Sequence, residues 1–227
     1  MATDRGRGGP TPVYLEVGSR RVFAGALEWP GWARSGKTEA LALEALADYA
    51  PRYAVVAERA GIAFPTTAGD ELRVVEQVPG SATTDFGAPD RVVPSDADPV
   101  DGAEAERFAA LLRASWAVFD QVAAGAPAEL RKGPRGGGRD RDKIVDHVLG
   151  AEAAYARTLG VRQQQPAVGD QVAVAALRDA VVAVLGAPSD GTPPVPKGWP
   201  ARYAVRRIAW HVLDHAWEIQ DRSVPAG

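Results

Sequence analysis

The feature that most constrains this chain is a series of four segments with helical hydrophobic periodicity in its second half. They cover residues 103–131, 140–160, 171–186 and 202–222. Glycine- and proline-rich stretches separate them, and no stretch between them alternates in the manner of a strand. Each segment has an apolar stripe that must be buried, so the pattern predicts an all-α four-helix bundle over residues 103–222.

The first half follows a different pattern. Residues 13–27 alternate apolar and polar side chains on either side of a Gly-Ser-Arg turn, which predicts a β-hairpin. Residues 39–47 are strong helix formers that should cover the hairpin, and residues 53–59 continue as a shorter helix after Pro51. Residues 71–78 alternate again and predict another strand.

A change of composition separates the two halves. Residues 81–102 are rich in Gly, Pro, Ser, Thr and Asp, which is typical of a surface linker. The fold class expected is therefore α+β, with a small hairpin-and-helix domain over residues 11–80, a linker over 81–102 and the bundle after it.

Charge and composition exclude several classes of function. The 26 Lys+Arg and 29 Asp+Glu give a net charge of 26 − 29 = −3, which argues against a nucleic-acid partner. There is no apolar run of about 18 residues that would predict a membrane span, and no signal peptide, so a cytoplasmic location is expected. The chain has no cysteine, so any thiol chemistry must use a thiol from outside the protein.

All three histidines lie on predicted inward faces of the bundle. His211 and His215 are spaced i, i+4 and share one face of the last helix, and the second helix would bring His147 opposite them. Three imidazoles suit zinc, nickel or iron and leave coordination positions open for a substrate. The alternative is a buried, hydrogen-bonded polar cluster without an ion.

Two motifs around these histidines resemble a known family. Asp-His-Val-Leu-Gly-Ala-Glu at 146–152 and Ala-Trp-His-Val-Leu-Asp-His-Ala-Trp-Glu at 209–218 are similar to those of DinB/YfiT-like four-helix bundle proteins. The resemblance implies that His147, His211 and His215 bind a divalent metal. It also implies a transferase or isomerase that uses a low-molecular-weight thiol of the mycothiol or bacillithiol type.

The first half resembles the small HicB-type α/β domain. The similarity lies in the hairpin, the Trp-Pro-Gly-Trp turn at 29–32 and the helix opening Thr-Glu-Ala-Leu at 38–41. In antitoxins of that type the domain binds a small toxin that cleaves messenger RNA. No DNA-binding segment follows it here, so we interpret the domain as an accessory surface.

Four further residues are candidates for the site. Glu218 follows the histidines on the same face and could accept a proton, orient a ligand or bind the ion from a distance, or simply pair with Arg222. Tyr155 could donate a hydrogen bond into the site or serve as a core residue. Arg135 and Arg139 lie in a basic, glycine-rich loop before the second helix, which could dock an anionic group of a thiol cofactor or be a solvated linker.

Two classes of function remain open from the sequence. The first is a metal-dependent enzyme of the thiol S-transferase type, acting on a small electrophilic molecule, with hydrolysis by a metal-bound hydroxide as a variant of it. The second is a metal-stabilised binding or regulatory module whose HicB-like domain captures a protein through an exposed Trp29–Trp32 turn. Apolar stripes on the bundle would also allow a homodimer.

Overall fold

The computed structural model describes residues 9–132 and 138–223 and shows a mixed α/β chain, a four-stranded sheet followed by helices. The elements of the first half are β1 (Thr11–Val17), β2 (Val22–Ala26), β3 (Ala33–Gly36), α1 (Glu39–Asp48), α2 (Ala50–Arg59) and β4 (Leu72–Pro79). The remaining elements are α3 (Ala82–Phe86), a 3-10 turn (Pro94–Ala97), α4 (Gly102–Gly125), α5 (Arg141–Thr158), α6 (Gln171–Leu185) and α7 (Ala201–Ser223). None of these helices is both long and apolar enough to span a bilayer.

The sheet has the strand order β3-β2-β1-β4. The predicted hairpin is confirmed: β1 and β2 pair antiparallel, with Val13 opposite Ala26 and Val17 opposite Val22. The strand predicted over residues 71–78 is β4, which pairs parallel with β1. β3 was not predicted, because four residues of mixed polarity, Ala-Arg-Ser-Gly, give no clear alternation and become a strand only by pairing with β2.

The Trp29–Trp32 turn is buried, which corrects the expectation that it is exposed. Trp32 is fully buried, stacks on Tyr53 with ring centroids 5.8 Å apart, and donates its Nε1 hydrogen to the Leu46 carbonyl at 2.8 Å. Gly31 adopts φ +93° and a Cβ there would lie 2.8 Å from Leu213 Cδ1 of α7. Only glycine tolerates both the backbone conformation and the contact, so the turn docks directly on α7.

Residues 81–102, for which composition predicted a surface linker, are mostly exposed or half-buried, but buried contacts anchor the segment to both halves. Glu16 is buried in β1 and accepts hydrogen bonds from the Asp90 and Arg91 backbone amides at 3.1 and 3.0 Å. Asp96 is also buried and forms an ion pair with Arg206 of α7. Composition could not reveal this packing because the anchoring partners come from distant parts of the chain.

The four predicted helices of the second half are α4 to α7. α4 packs along α7 and against α6, and α5 packs against both α6 and α7. The predicted inward apolar residues are buried, among them Phe108, Leu112, Ile144, Leu177 and Ile208. One continuous apolar core joins these helices to the sheet and to α1 and α2. As a result, α7 has one face toward the N-terminal half and another face that carries the histidines.

Candidate metal centre

The structure brings all three histidines together. His147 is on α5, and His211 and His215 lie one turn apart on α7. Each ring offers one nitrogen, and these three nitrogens lie within 4.8 Å of one another. His211 is buried, whereas His147 and His215 are half-buried, so the cluster lies at the edge of the core rather than at its centre. The three histidines could therefore hold a metal ion.

The spacing of one pair of these nitrogens, those of His147 and His211, matches that of two ligands of a tetrahedral ion. His147 Nε2 and His211 Nε2 are 3.3 Å apart. Zinc–nitrogen bonds of about 2.0–2.1 Å at tetrahedral angles place two ligand nitrogens about 3.3 Å apart. Without an ion, the two rings can form a hydrogen bond to each other only if one of them carries its proton on Nε2. The other nitrogen of His211, Nδ1, is buried and has no hydrogen-bond partner among the described residues.

Burial and the other cations around them keep His147 and His211 uncharged. Burial, the neighbouring His215 ring and Arg139 lower the pKa of His147. Burial and His215, followed by Arg207 and His147, hold the pKa of His211 well below its ordinary value. Neutral imidazole is the form that binds a metal, so these shifts prepare both rings for ligation at neutral pH.

Glu218 orients His215. Its Oε2 lies 2.8 Å from His215 Nδ1, and its Oε1 accepts a hydrogen bond from Arg222 Nη1 at 2.7 Å. The hydrogen bond to His215, with the charge of Arg222, lowers the pKa of Glu218 and keeps it ionised. A carboxylate can only accept, so His215 Nδ1 carries a hydrogen, and Nε2 is the nitrogen that the neutral ring can offer to a metal. Of the roles considered for Glu218, the orienting one matches this geometry, and the predicted Arg222 pair is present as well.

Tyr155 lies beside His211. The two ring centroids are 5.7 Å apart with an edge-on arrangement, and Trp199 covers another side of the tyrosine at 5.0 Å. Burial raises the pKa of Tyr155, so its hydroxyl stays protonated at neutral pH. The residue therefore belongs to the wall of the site and has a proton to donate there.

Of the two loop arginines, Arg139 is described and Arg135 lies outside the described residues. Arg139 is exposed on the approach to α5, and its charge helps to lower the pKa of both His147 and His211. It thus lies close enough to the histidines to act on a molecule bound there.

Trp210 and Trp217 face the N-terminal half rather than the site. Trp210 packs edge-on against Phe23 of β2 at 5.8 Å, and Trp217 packs against Tyr49 at 5.0 Å. Both tryptophans therefore pack against the N-terminal half. The aromatic ring beside His211 on the other side is that of Tyr155, which contacts Trp199.

Two features of α5, α6 and α7 were not predicted from the sequence: a buried ion pair and an arginine near the histidines. Glu152 and Arg178 form a buried pair with two bonds of 3.1 Å between α5 and α6. Arg207 lies one turn before His211, with its Cζ 5.2 Å from the centroid of the Tyr155 ring. The i, i+4 spacing of Arg207 and His211 was a signal that could have placed this arginine on the histidine face.

Comparisons of the chain with protein-family models, with curated proteins and with solved structures found no match. The chemistry of the site is therefore argued from its residues and their geometry.

Proposed function

We propose that the protein is a divalent-metal-dependent transferase or isomerase that uses a low-molecular-weight thiol on a small electrophilic substrate. In this proposal the helical half is a DinB-like bundle and the N-terminal half a HicB-like domain. The observation that carries the proposal is the convergence of three imidazoles at the edge of the core, with Nε2 of His147 and Nε2 of His211 3.3 Å apart.

The type of ligand favours zinc, nickel or iron over magnesium or calcium, which prefer oxygen. Three protein ligands leave coordination positions for a small molecule, and the half-buried His147 and His215 place them near solvent. When bound, a divalent ion of this kind lowers the pKa of a thiol that coordinates it. Because the chain has no cysteine, no protein thiol competes for that position.

The residues around the histidines have separate tasks. Glu218 holds the His215 ring with its Nε2 lone pair directed away from the carboxylate, so it is a positioning residue. The protonated Tyr155 hydroxyl supplies a proton donor beside His211. In the transfer step the thiolate sulfur forms a bond to the electrophilic carbon, the bond to the leaving group breaks with its electron pair, and Tyr155 can donate a hydrogen bond to that group.

The proposal is tested in two steps. Elemental analysis of untagged protein should give one divalent ion per chain, and His147→Ala should lose it. The metal-loaded protein is then incubated with a small thiol and a panel of electrophiles consisting of an alkyl halide, an epoxide and an activated aryl chloride. We expect faster consumption of thiol than with His211→Ala, and an unchanged rate with the matched control Asp214→Asn.

Asp214 is a suitable control because it is on α7 between the histidines but pairs with Arg34 of the N-terminal half at 2.7 Å. If metal-loaded protein accelerates none of the thiol reactions over His211→Ala, the transferase proposal is wrong. If the same protein hydrolyses the epoxide without thiol, the site performs the hydroxide variant instead.

A further inference from the structure

Arg207 is held rigidly at the rim of the histidine cluster. Its guanidinium Cζ lies 5.2 Å from the Tyr155 ring centroid and 4.7 Å from the Trp210 ring centroid. The side chain is half-buried, so one part of it remains accessible. The aromatic rings fix the plane of the guanidinium without neutralising its charge.

The charge of Arg207 has no counterpart in the described parts of the chain. Its Nη1 is buried and lacks a hydrogen-bond partner there, and no carboxylate forms an ion pair with it. Its neighbour Arg206 shows the contrasting case, since that guanidinium is buried with Asp96 as its partner. Buried donors without partners are rare in native proteins, so an unpaired guanidinium nitrogen next to a candidate site needs an explanation.

The surroundings of the histidines also have an excess of positive charge. The positive charges of Arg139 and Arg207 both act on His211, and the Arg207 Cζ lies 5.2 Å from the centroid of the Tyr155 ring. Two carboxylates lie near the histidines: Glu218 is paired with Arg222, and Asp146 is exposed and accepts a hydrogen bond from Gln165. A divalent ion would increase the excess further, so the site favours an anionic ligand.

We propose that Arg207 binds a carboxylate of the thiol that the histidine site takes up, an inference that rests on the proposed function. A planar guanidinium matches a carboxylate through two parallel hydrogen bonds. Arg207 and His211 are four residues apart, about 6 Å along α7, so a ligand that reaches from the histidines to Arg207 can be short. The ligand class is therefore a small thiol that carries a carboxylate a few bonds from its sulfur.

The experiment uses the cobalt-substituted full-length protein and reads the thiolate-to-cobalt charge-transfer absorption, which requires no substrate turnover. The two probes are 3-mercaptopropionate and its neutral analogue 3-mercaptopropan-1-ol. We expect the wild type to bind the acid about tenfold to a hundredfold more tightly than the alcohol. This is the gain in affinity that hydrogen bonds to a charged group typically give. Arg207→Gln should abolish this preference and Arg207→Lys should retain part of it.

Arg113→Gln is the matched control, because Arg113 is an exposed arginine of α4 that pairs with Asp179. It should leave the preference unchanged, and cobalt stoichiometry equal to wild type shows that each variant is folded. Equal affinity of the wild type for the two probes would overturn the role of Arg207 while upholding thiol binding at the metal.

Absence of the absorption band with both thiols would instead overturn the proposed function. In that case the role of Arg207 is tested by adding malonate, a dicarboxylate without a thiol, to the metal-free protein and measuring tryptophan fluorescence. A change in tryptophan fluorescence that Arg207→Gln removes would support the anion site, since Trp210 lies beside this arginine. No change with malonate would overturn it.

Discussion

Two groups of polar side chains in the helical half, one buried between helices and one at the edge of the core, are built in opposite ways. In the first, Arg178 binds Glu152 through two bonds of 3.1 Å and Asp120 through one of 2.7 Å. In the second, three imidazoles lie next to one another with no group of opposite charge between them, and His211 Nδ1 has no hydrogen-bond partner among the described residues. Both groups lie between α5 and a neighbouring helix, but only the first is complete without a ligand.

This difference separates a structural cluster from a candidate site. Arg178 and Glu152 satisfy each other's hydrogen bonds and charge, as buried ions must. The histidines instead bring three ring nitrogens within 4.8 Å of one another, an arrangement that a bound metal ion would stabilise. The same helices can therefore carry both a self-sufficient ion pair and a site that needs an ion.

The largest effect on stability is expected from breaking the complete cluster. Arg178→Met leaves Glu152 buried without its counter-charge, which should cost about 3–5 kcal/mol in the free energy of unfolding. Urea denaturation measures the loss. Arg113→Met, which breaks the exposed pair with Asp179, should cost at most about 1 kcal/mol, and similar losses for both variants would contradict the distinction.

The stability that the histidine cluster contributes should depend on bound metal. Zinc at about a thousand times its dissociation constant should raise the free energy of unfolding by about 4 kcal/mol. His211→Ala should remove that gain, because one of three ligands is lost. Unfolding measured with zinc and with a chelator gives the difference, and an equal gain in the variant would show that zinc binds elsewhere.

The contact between Glu218 and His215 should affect how tightly the histidine cluster binds a metal. Glu218→Gln keeps the shape of the side chain but weakens its hold on His215, so metal affinity should fall by about 10- to 100-fold. Competition with a chromogenic chelator measures the affinity. Asp214→Asn should leave it unchanged, since Asp214 contacts Arg34 instead, and equal losses would assign the effect to helix α7 as a whole.

The smallest effect concerns a carboxylate outside both clusters. Asp85 accepts hydrogen bonds from Ser19 and from the backbone amides of Arg20 and Arg21, which lower its pKa. Its contribution to stability is therefore complete above the unfolded-state pKa of about 3.9 and is lost as the pH falls through the lower folded-state value. Asp85→Asn should show a shallower loss of stability between pH 6 and pH 3, and identical slopes would argue against this role.

Residue spacing predicted more of the site than of its surroundings. The histidines could be assigned to one point because helix periodicity places residues four apart on one face, and two helices of a bundle face each other. The buried Glu152–Arg178 pair was not predicted. Each of the two helices has enough apolar residues to fill its inward face, so nothing in the sequence indicates that a charged residue is buried as well. The role of the Trp29–Trp32 turn was also misjudged, since aromatic side chains near Pro and Gly can be either exposed or buried.

The sequence by itself determined the hairpin, β4, the four long helices with their apolar stripes and the face on which His211 and His215 lie, because these depend on the local period of the backbone. Only the tertiary structure decided that α7 packs the N-terminal half against its other face, that Gly31 contacts Leu213 and that Arg207 Nη1 has no hydrogen-bond partner among the described residues. Those features depend on which distant side chains meet across the core, and that is decided when the whole chain packs.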